Sequence, residues 1–162
     1  LYYRVLEDPV YIDAILNHEL IHVLACKILN KLDCNQSGNI KDFKVVLQIA
    51  KKLLSELPEK QDPILYNLYS GLDNYVNKCE LGRECLGEEM LSHVYSILYI
   101  LIYKYGNKNY EKDYQIVWWV LRNNGFPVPT KGLIYCPYVK IESENPVLKR
   151  YLDMVYKPNL HI

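Results

Sequence analysis

Apolar residues recur at three- and four-residue steps in each apolar segment up to Asn124, and that spacing restricts the chain to helices rather than strands. The first helix is predicted over Pro9–Lys31, with proline preorganised for a first turn and Tyr11, Ile15, Leu16, Leu20, Val23, Leu24, Ile28 and Leu32 as its apolar face. A second is expected over Ile40–Leu57, capped by Ser37 or Asn39. Asp62-Pro63 opens a third that runs to Lys78, and a fourth covers Glu88–Tyr105, closed by Gly106 and Asn107. The fifth spans Lys112–Asn124, with Tyr114, Val117, Trp118, Leu121 and Arg122 recurring along one side, Gly125 closing it and Pro127 barring continuation. Asn145-Pro146 starts a last helix ending near Tyr156. Only Leu133–Ile141 turns to β-branched and aromatic residues, as a short strand or hairpin does. The expectation is an all-α single domain, 1–162, a bundle of five or six helices with at most a small C-terminal β-hairpin.

A chain of 162 residues, half of them apolar, is long enough to bury a core and too apolar to be disordered. Its most apolar run, Val94–Tyr103, is about half the length that a bilayer crossing needs, so no membrane partner is expected. Five cysteines, Cys26, Cys34, Cys79, Cys85 and Cys136, are odd in number and widely scattered. That pattern reads as reduced thiols in a cytoplasmic, intracellular setting rather than as a disulfide framework. Net charge is zero, but its distribution is uneven. Residues 1–99 carry ten Lys/Arg against fourteen Asp/Glu, or −4; residues 100–162 carry nine against five, or +4. The N-terminal helices, 1–80, are thus followed by a basic part, 81–162.

Three features carry chemistry. His18-Glu19-Leu20-Ile21-His22 fits H-E-x-x-H, in which histidines four apart grip zinc from one helical face and the glutamate activates water. Its surroundings argue against a hydrolase. Only 17 residues precede it, Ile28 stands where a third histidine would follow, and nothing selects Glu56 or Glu59 as a third ligand. No metal or other cofactor is therefore expected, and one of the two histidines is assigned to the core and the other to the surface. Next, Asp33 to Lys44 has the oxygen-bearing positions and Gly38 of an EF-hand loop, but Lys44 replaces its bidentate glutamate and removes the basis for calcium binding. Last, the segment from Tyr110 onward joins both tryptophans to basic residues and rings, a combination that phosphates and bases can meet. Its candidate phosphate contacts are Arg122, Lys131, Lys140, Lys149 and Arg150; Tyr135 and Tyr138 are the candidate stacking rings. Trp118 and Trp119 point about 100° apart on a helix, placing one in the core and the other outside. A shorter observation is that Leu91-Ser92-His93 echoes Leu16-Asn17-His18, each leading into an apolar helical run.

Tyr110-Glu111-Lys112-Asp113-Tyr114-Gln115-Ile116, then Gly132-Leu133 with Cys136, then Asn145-Pro146-Val147, together resemble the helical C-terminal domain of the archaeal and eukaryotic primase large subunit. The likeness covers roughly residues 90–152. Members of that family hold an iron–sulfur cluster on four cysteines, whereas Cys136 with Cys79 and Cys85 makes three at most. The resemblance therefore implies a cluster-free accessory subunit, noncatalytic by itself. Its implied partners are single-stranded or primed DNA, a nucleotide, and a separate catalytic primase subunit. Two other classes stay open: a helical protein–protein adaptor built on the degenerate EF-hand-like loop, and a zinc metalloprotease using His18, Glu19 and His22.

Overall fold

The most apolar segment of the sequence becomes the axis of the molecule. A computed structural model describes residues 8–28, 40–57, 62–81 and 86–126. It places these in five α-helices: α1 Pro9–Ile28, α2 Phe43–Glu56, α3 Pro63–Glu80, α4 Gly87–Tyr103 and α5 Glu111–Asn123, with a 3-10 turn at Lys108–Tyr110 before α5. No strand occurs among the described residues, and the fold is all-α. Fourteen of the 17 residues of α4 are buried, and all four other helices pack around it. A helix apolar on every side can be satisfied only in this central place. No helix among the described residues is long and apolar enough to cross a membrane. The expected hairpin at Leu133–Ile141 and the last helix from Asn145 lie outside the described residues.

The surrounding helices show one wet and one buried side. In α2 the buried residues are Val46, Ile49, Ala50 and Leu53, one stripe at helical spacing. In α5 they include Tyr114, Val117, Trp118 and Leu121, four of the five residues read from the sequence as recurring on one side, while Arg122 stays at the edge. Trp118 is fully buried and Trp119 is 49% exposed, as the 100° offset required. Helix α1 departs from expectation. Leu16 and Val23 are exposed, and the buried line is Tyr11, Ala14, Asn17, Ile21 and Ala25. Small residues decided it: Ala14 lets α1 approach α4 so closely that the Ser96 hydroxyl lies 3.3 Å from the Ala14 carbonyl.

Helix ends follow their local chemistry, with one correction. Asp62 caps α3 through the amides of Ile64 and Leu65 at 2.9 and 3.1 Å. Burial pushes its carboxyl up, but hydroxyl donors Tyr105 and Tyr11 and those amides outweigh this and hold it low. At α5, Gly125 takes φ +83°; Phe126 N–H reaches the Leu121 carbonyl and Gly125 N–H the Arg122 carbonyl, both at 2.9 Å. The correction concerns α2, which begins at Phe43 rather than Ile40, with Asp42 in the left-handed region at φ 63°. Asn124 holds this entry from the far end of α5, accepting from Lys41 N at 2.7 Å and donating to its carbonyl at 3.1 Å. Ser37 and Asn39, the expected caps, lie outside the described residues.

The cysteines also depart from expectation. Cys26, near the end of α1, and Cys79, near the end of α3, are both disulfide-bonded. The reading of all five thiols as reduced is corrected for these two.

Candidate metal centre

The two short echoes in the sequence, at His18 and at His93, meet in space. Helices α1 and α4 pack antiparallel, from Asp13 against Tyr99 to His22 against Glu88, and the His18 and His93 rings come within 4.7 Å, edge to face. His18 and His22 stand one turn apart on α1; Glu89 and His93 stand one turn apart on α4. Each helix thus offers a pair of ligating groups from a single face. Ligand atoms of His18, Glu89 and His93 lie within 4.8 Å of one another.

Hydrogen bonds orient each ring. The Ser96 hydroxyl lies 2.9 Å from the Ser92 carbonyl and 3.3 Å from that of Ala14, to which its proton can go, so it accepts at 3.1 Å from Nδ1 of His18. His93 gives its Nδ1 proton to the Glu89 carbonyl at 2.8 Å. His22 Nδ1 lies 2.7 Å from Glu88 Oε2, and its Nε2 lies 3.4 Å from Glu89 Oε2 and 3.3 Å from the Ser92 hydroxyl. A partner on one imidazole nitrogen determines which lone pair remains for a ligand; in His18 and His93 the engaged atom is Nδ1, whereas His22 is engaged at both nitrogens. Behind the site, Gly71 of α3 makes room: a Cβ there would stand 2.7 Å from His93 Nε2. The Tyr75 ring covers the other side of His93 at 5.2 Å.

Charge is divided to suit a cation. Burial, then the neighbouring rings His93 and His22, pushes His18 down to about 4. Burial also lowers His93. Both are therefore neutral at pH 7 and keep a lone pair. Glu89 is held below the usual carboxylate range, chiefly by the hydrogen bond from His22. His22 moves the opposite way, up to about 9, because Glu88 and Glu89 stabilise its cation. Two neutral imidazoles and an ionised carboxylate form a donor set that zinc-class ions take.

The two histidines of H-E-x-x-H find polar partners on α4, out of reach of any argument from the 17 preceding residues. Neither histidine is a simple core or surface residue. Glu19 is exposed, and Glu56 is engaged elsewhere, receiving the Tyr110 hydroxyl; Glu59 lies outside the described residues. The sequence reading did not single out Glu88, Glu89 or His93 as partners of that motif. Two signals pointed to them: the Leu-Ser-His echo and the second i, i+4 pair of ligating residues.

The basic surface is only partly visible. Arg122 lies in the last turn of α5 with its guanidinium over the Trp119 ring, 5.9 Å from the centroid. Lys131, Lys140, Lys149, Arg150, Tyr135 and Tyr138 lie outside the described residues. Of the EF-hand-like loop, Asp33 to Asn39 lie outside them too, and Lys44 sits in the first turn of α2. No protein-family model, curated protein or solved structure matches the chain.

Proposed function

We propose that this chain is a noncatalytic, metal-dependent helical binding module, in which one zinc-class ion ties α1 to α4 through His18, Glu89 and His93. The observation that carries this reading is the convergence of three ligand atoms from two helices within 4.8 Å, each on a side chain whose protonation state suits a cation. Such an ion converts the weakest kind of helix contact, polar against polar, into bonds that fix the relative position of the two helices. The two disulfide-bonded cysteines support an oxidising compartment for this module. Elemental analysis of the purified protein after zinc loading and gel filtration tests the reading. One zinc per chain is expected, and a His18→Ala/His93→Ala variant is expected to lose it. Equal zinc in the two proteins would overturn it.

A second reading keeps the primase-type accessory subunit, binding single-stranded or primed DNA. Its specific support is the exposed Trp119 ring with Arg122 over it, an indole and a cation together on the wet side of α5. Stacking of a base on such a ring is worth about 1–3 kcal/mol. A Trp119→Ala variant should therefore bind single-stranded DNA about 5–150-fold more weakly at unchanged salt dependence. Absence of binding by the wild type at low salt would remove this reading and leave a protein partner for the module.

A further inference from the structure

We infer that His22 is the fourth ligand of the α1–α4 centre and that the buried Glu88 aims it, so that the ion sits in a closed shell with no position for a reacting water. This inference rests on the metal-centre reading above and decides between its structural and hydrolytic forms.

The geometry already contains one edge of the coordination figure. Four ligands held about 2.0–2.1 Å from a tetrahedral zinc stand about 3.3–3.4 Å from each other. His22 Nε2 and Glu89 Oε2 are 3.4 Å apart, and in the metal-free protein the Nε2 proton lies on this contact, so an ion taking the same place must displace that proton to solvent. The His18 and His22 rings lie 5.3 Å apart, edge to face, so both rings border the same space. The His18, Glu89 and His93 ligand atoms lie within 4.8 Å of one another and draw together when the ion binds.

Glu88 supplies the second argument. It is only 2% exposed, yet it is a carboxylate, and a buried carboxylate is costly unless it serves a hydrogen-bonded partner. Its Oε2 receives the Nδ1 proton of His22 at 2.7 Å. This is the relation that carboxylates have to metal-bound histidines: it orients the ring, fixes the proton on the far nitrogen and leaves Nε2 to the metal. The next residue along α4, Glu89, then meets that Nε2. Adjacent carboxylates thus divide the work, Glu88 holding the ligand and Glu89 being one.

A hydrolytic zinc site keeps three protein ligands and an open fourth position. With His22 in that position the site is filled from the protein, two ligands from each helix. Glu19, the residue that H-E-x-x-H assigns to water activation, is exposed on α1. The motif is therefore used for its two histidines and not for its glutamate.

Cobalt(II) substitution in the full chain tests this, because its visible spectrum reports coordination number and responds when an added anion enters an open position. The wild type should bind one cobalt, show the intense bands of a four-coordinate tetrahedral ion, and keep that spectrum when azide is added. His22→Ala should bind cobalt and zinc at least about 100-fold more weakly, and its cobalt spectrum should change with azide. Glu88→Gln should weaken binding by about 10–100-fold while the spectrum stays closed. His22→Gln, which leaves Glu88 a hydrogen-bond donor, carries the same expectation as His22→Ala should the alanine variant lose helix content. A wild-type cobalt spectrum that shifts with azide at one cobalt per chain overturns the closed shell and leaves the three-ligand centre standing. Unchanged affinity in both His22 variants has the same meaning. A wild type that binds neither metal overturns the centre itself, and the role of His22 with it.

Discussion

The two halves of α4 are built from the same kind of helix and do opposite things. Its C-terminal half sets Tyr95 and Tyr99 against Tyr114 and Trp118, with Tyr103 closing the group, rings 4.6–6.3 Å apart. Tyrosine tips there meet one another and α1, the Tyr114 hydroxyl lying 3.3 Å from that of Tyr95 and Tyr99 donating to Asp13 at 3.1 Å, while the Trp118 indole N–H is buried without a hydrogen-bond partner among the described residues. Its N-terminal half instead sets Glu88, Glu89, Ser92 and His93 against His18 and His22. Aromatic rings packed together, here stacked, tilted and edge to face, stabilise chiefly by area. Imidazoles and carboxylates packed together leave several lone pairs in need of a partner. The comparison teaches that one end of the helix supplies stability and the other a binding potential that stability alone does not explain.

The largest break in that comparison should come from the aromatic end. Trp118→Ala removes the largest fully buried side chain and should cost about 3–5 kcal/mol in a denaturant titration of the metal-free protein. The folded fraction should still take up zinc. Loss of zinc uptake from that fraction would mean that the two ends are coupled.

Next in size is the response to metal. Zinc at 100 times its dissociation constant should raise the unfolding free energy of the wild type by about 2.7 kcal/mol. His93→Ala should lose nearly all of this rise, whereas Tyr99→Phe at the other end should keep it. Equal shifts in the two variants would remove the distinction between the ends.

The acid–base behaviour of the metal-free protein sharpens the contrast further. His18 sits at about 4 against an ordinary 6.5, so its contribution is intact above pH 6.5 and is lost as pH falls through about 4. His22 sits at about 9, so its contribution is full below pH 6.5 and is lost as pH rises through about 9. The two opposed slopes should give a stability maximum near pH 6.5, falling by roughly 2–3 kcal/mol on each side. A His18→Ala/His22→Ala variant should flatten the curve between pH 5 and 9, roughly the interval the two groups govern. An unchanged maximum, followed by urea unfolding at each pH, would put the pH dependence elsewhere.

The smallest expected effect is at Gly71. In an open helix Gly→Ala gains about 1 kcal/mol, but here the new methyl would lie 2.7 Å from His93 Nε2. That ring is held by the Glu89 carbonyl and flanked by His18 and Tyr75, so it cannot simply swing away. Overpacking costs about 1–3 kcal/mol, which exceeds the gain and leaves a net loss of about 1 kcal/mol with weakened zinc binding. A net stabilisation on thermal melting would show that His93 is free to move.

Much of the architecture was legible because its signals are local. The proline at the start of α1, the Asp62 cap of α3 and the Gly125 turn after α5 act within a few residues of themselves, and the helices lie close to where these place them. The buried side of α1 was not legible. That helix has apolar residues nearly all round, so periodicity could not choose between the line through Leu16 and Val23 and the line through Ala14 and Ala25. Close approach to Ser92 and Ser96 chose the second. The fate of Cys26 and Cys79 was illegible for a related reason, since a disulfide depends on which cysteines the fold brings together and not on how far apart they lie in the chain.

By itself the sequence determined that the chain is helical, about where its helices lie, that one tryptophan of the adjacent pair is buried and the other is not, and that two histidines share a face of α1. These follow from backbone geometry and side-chain spacing, both of which act over one or two turns. Only the tertiary structure decided that Glu89 and His93 complete that face, that Glu88 is buried against His22, and that His18 is neutral while His22 is not. Those are properties of two helices about 70 residues apart in sequence brought into contact, and burial and charge–charge proximity exist only once that contact is made.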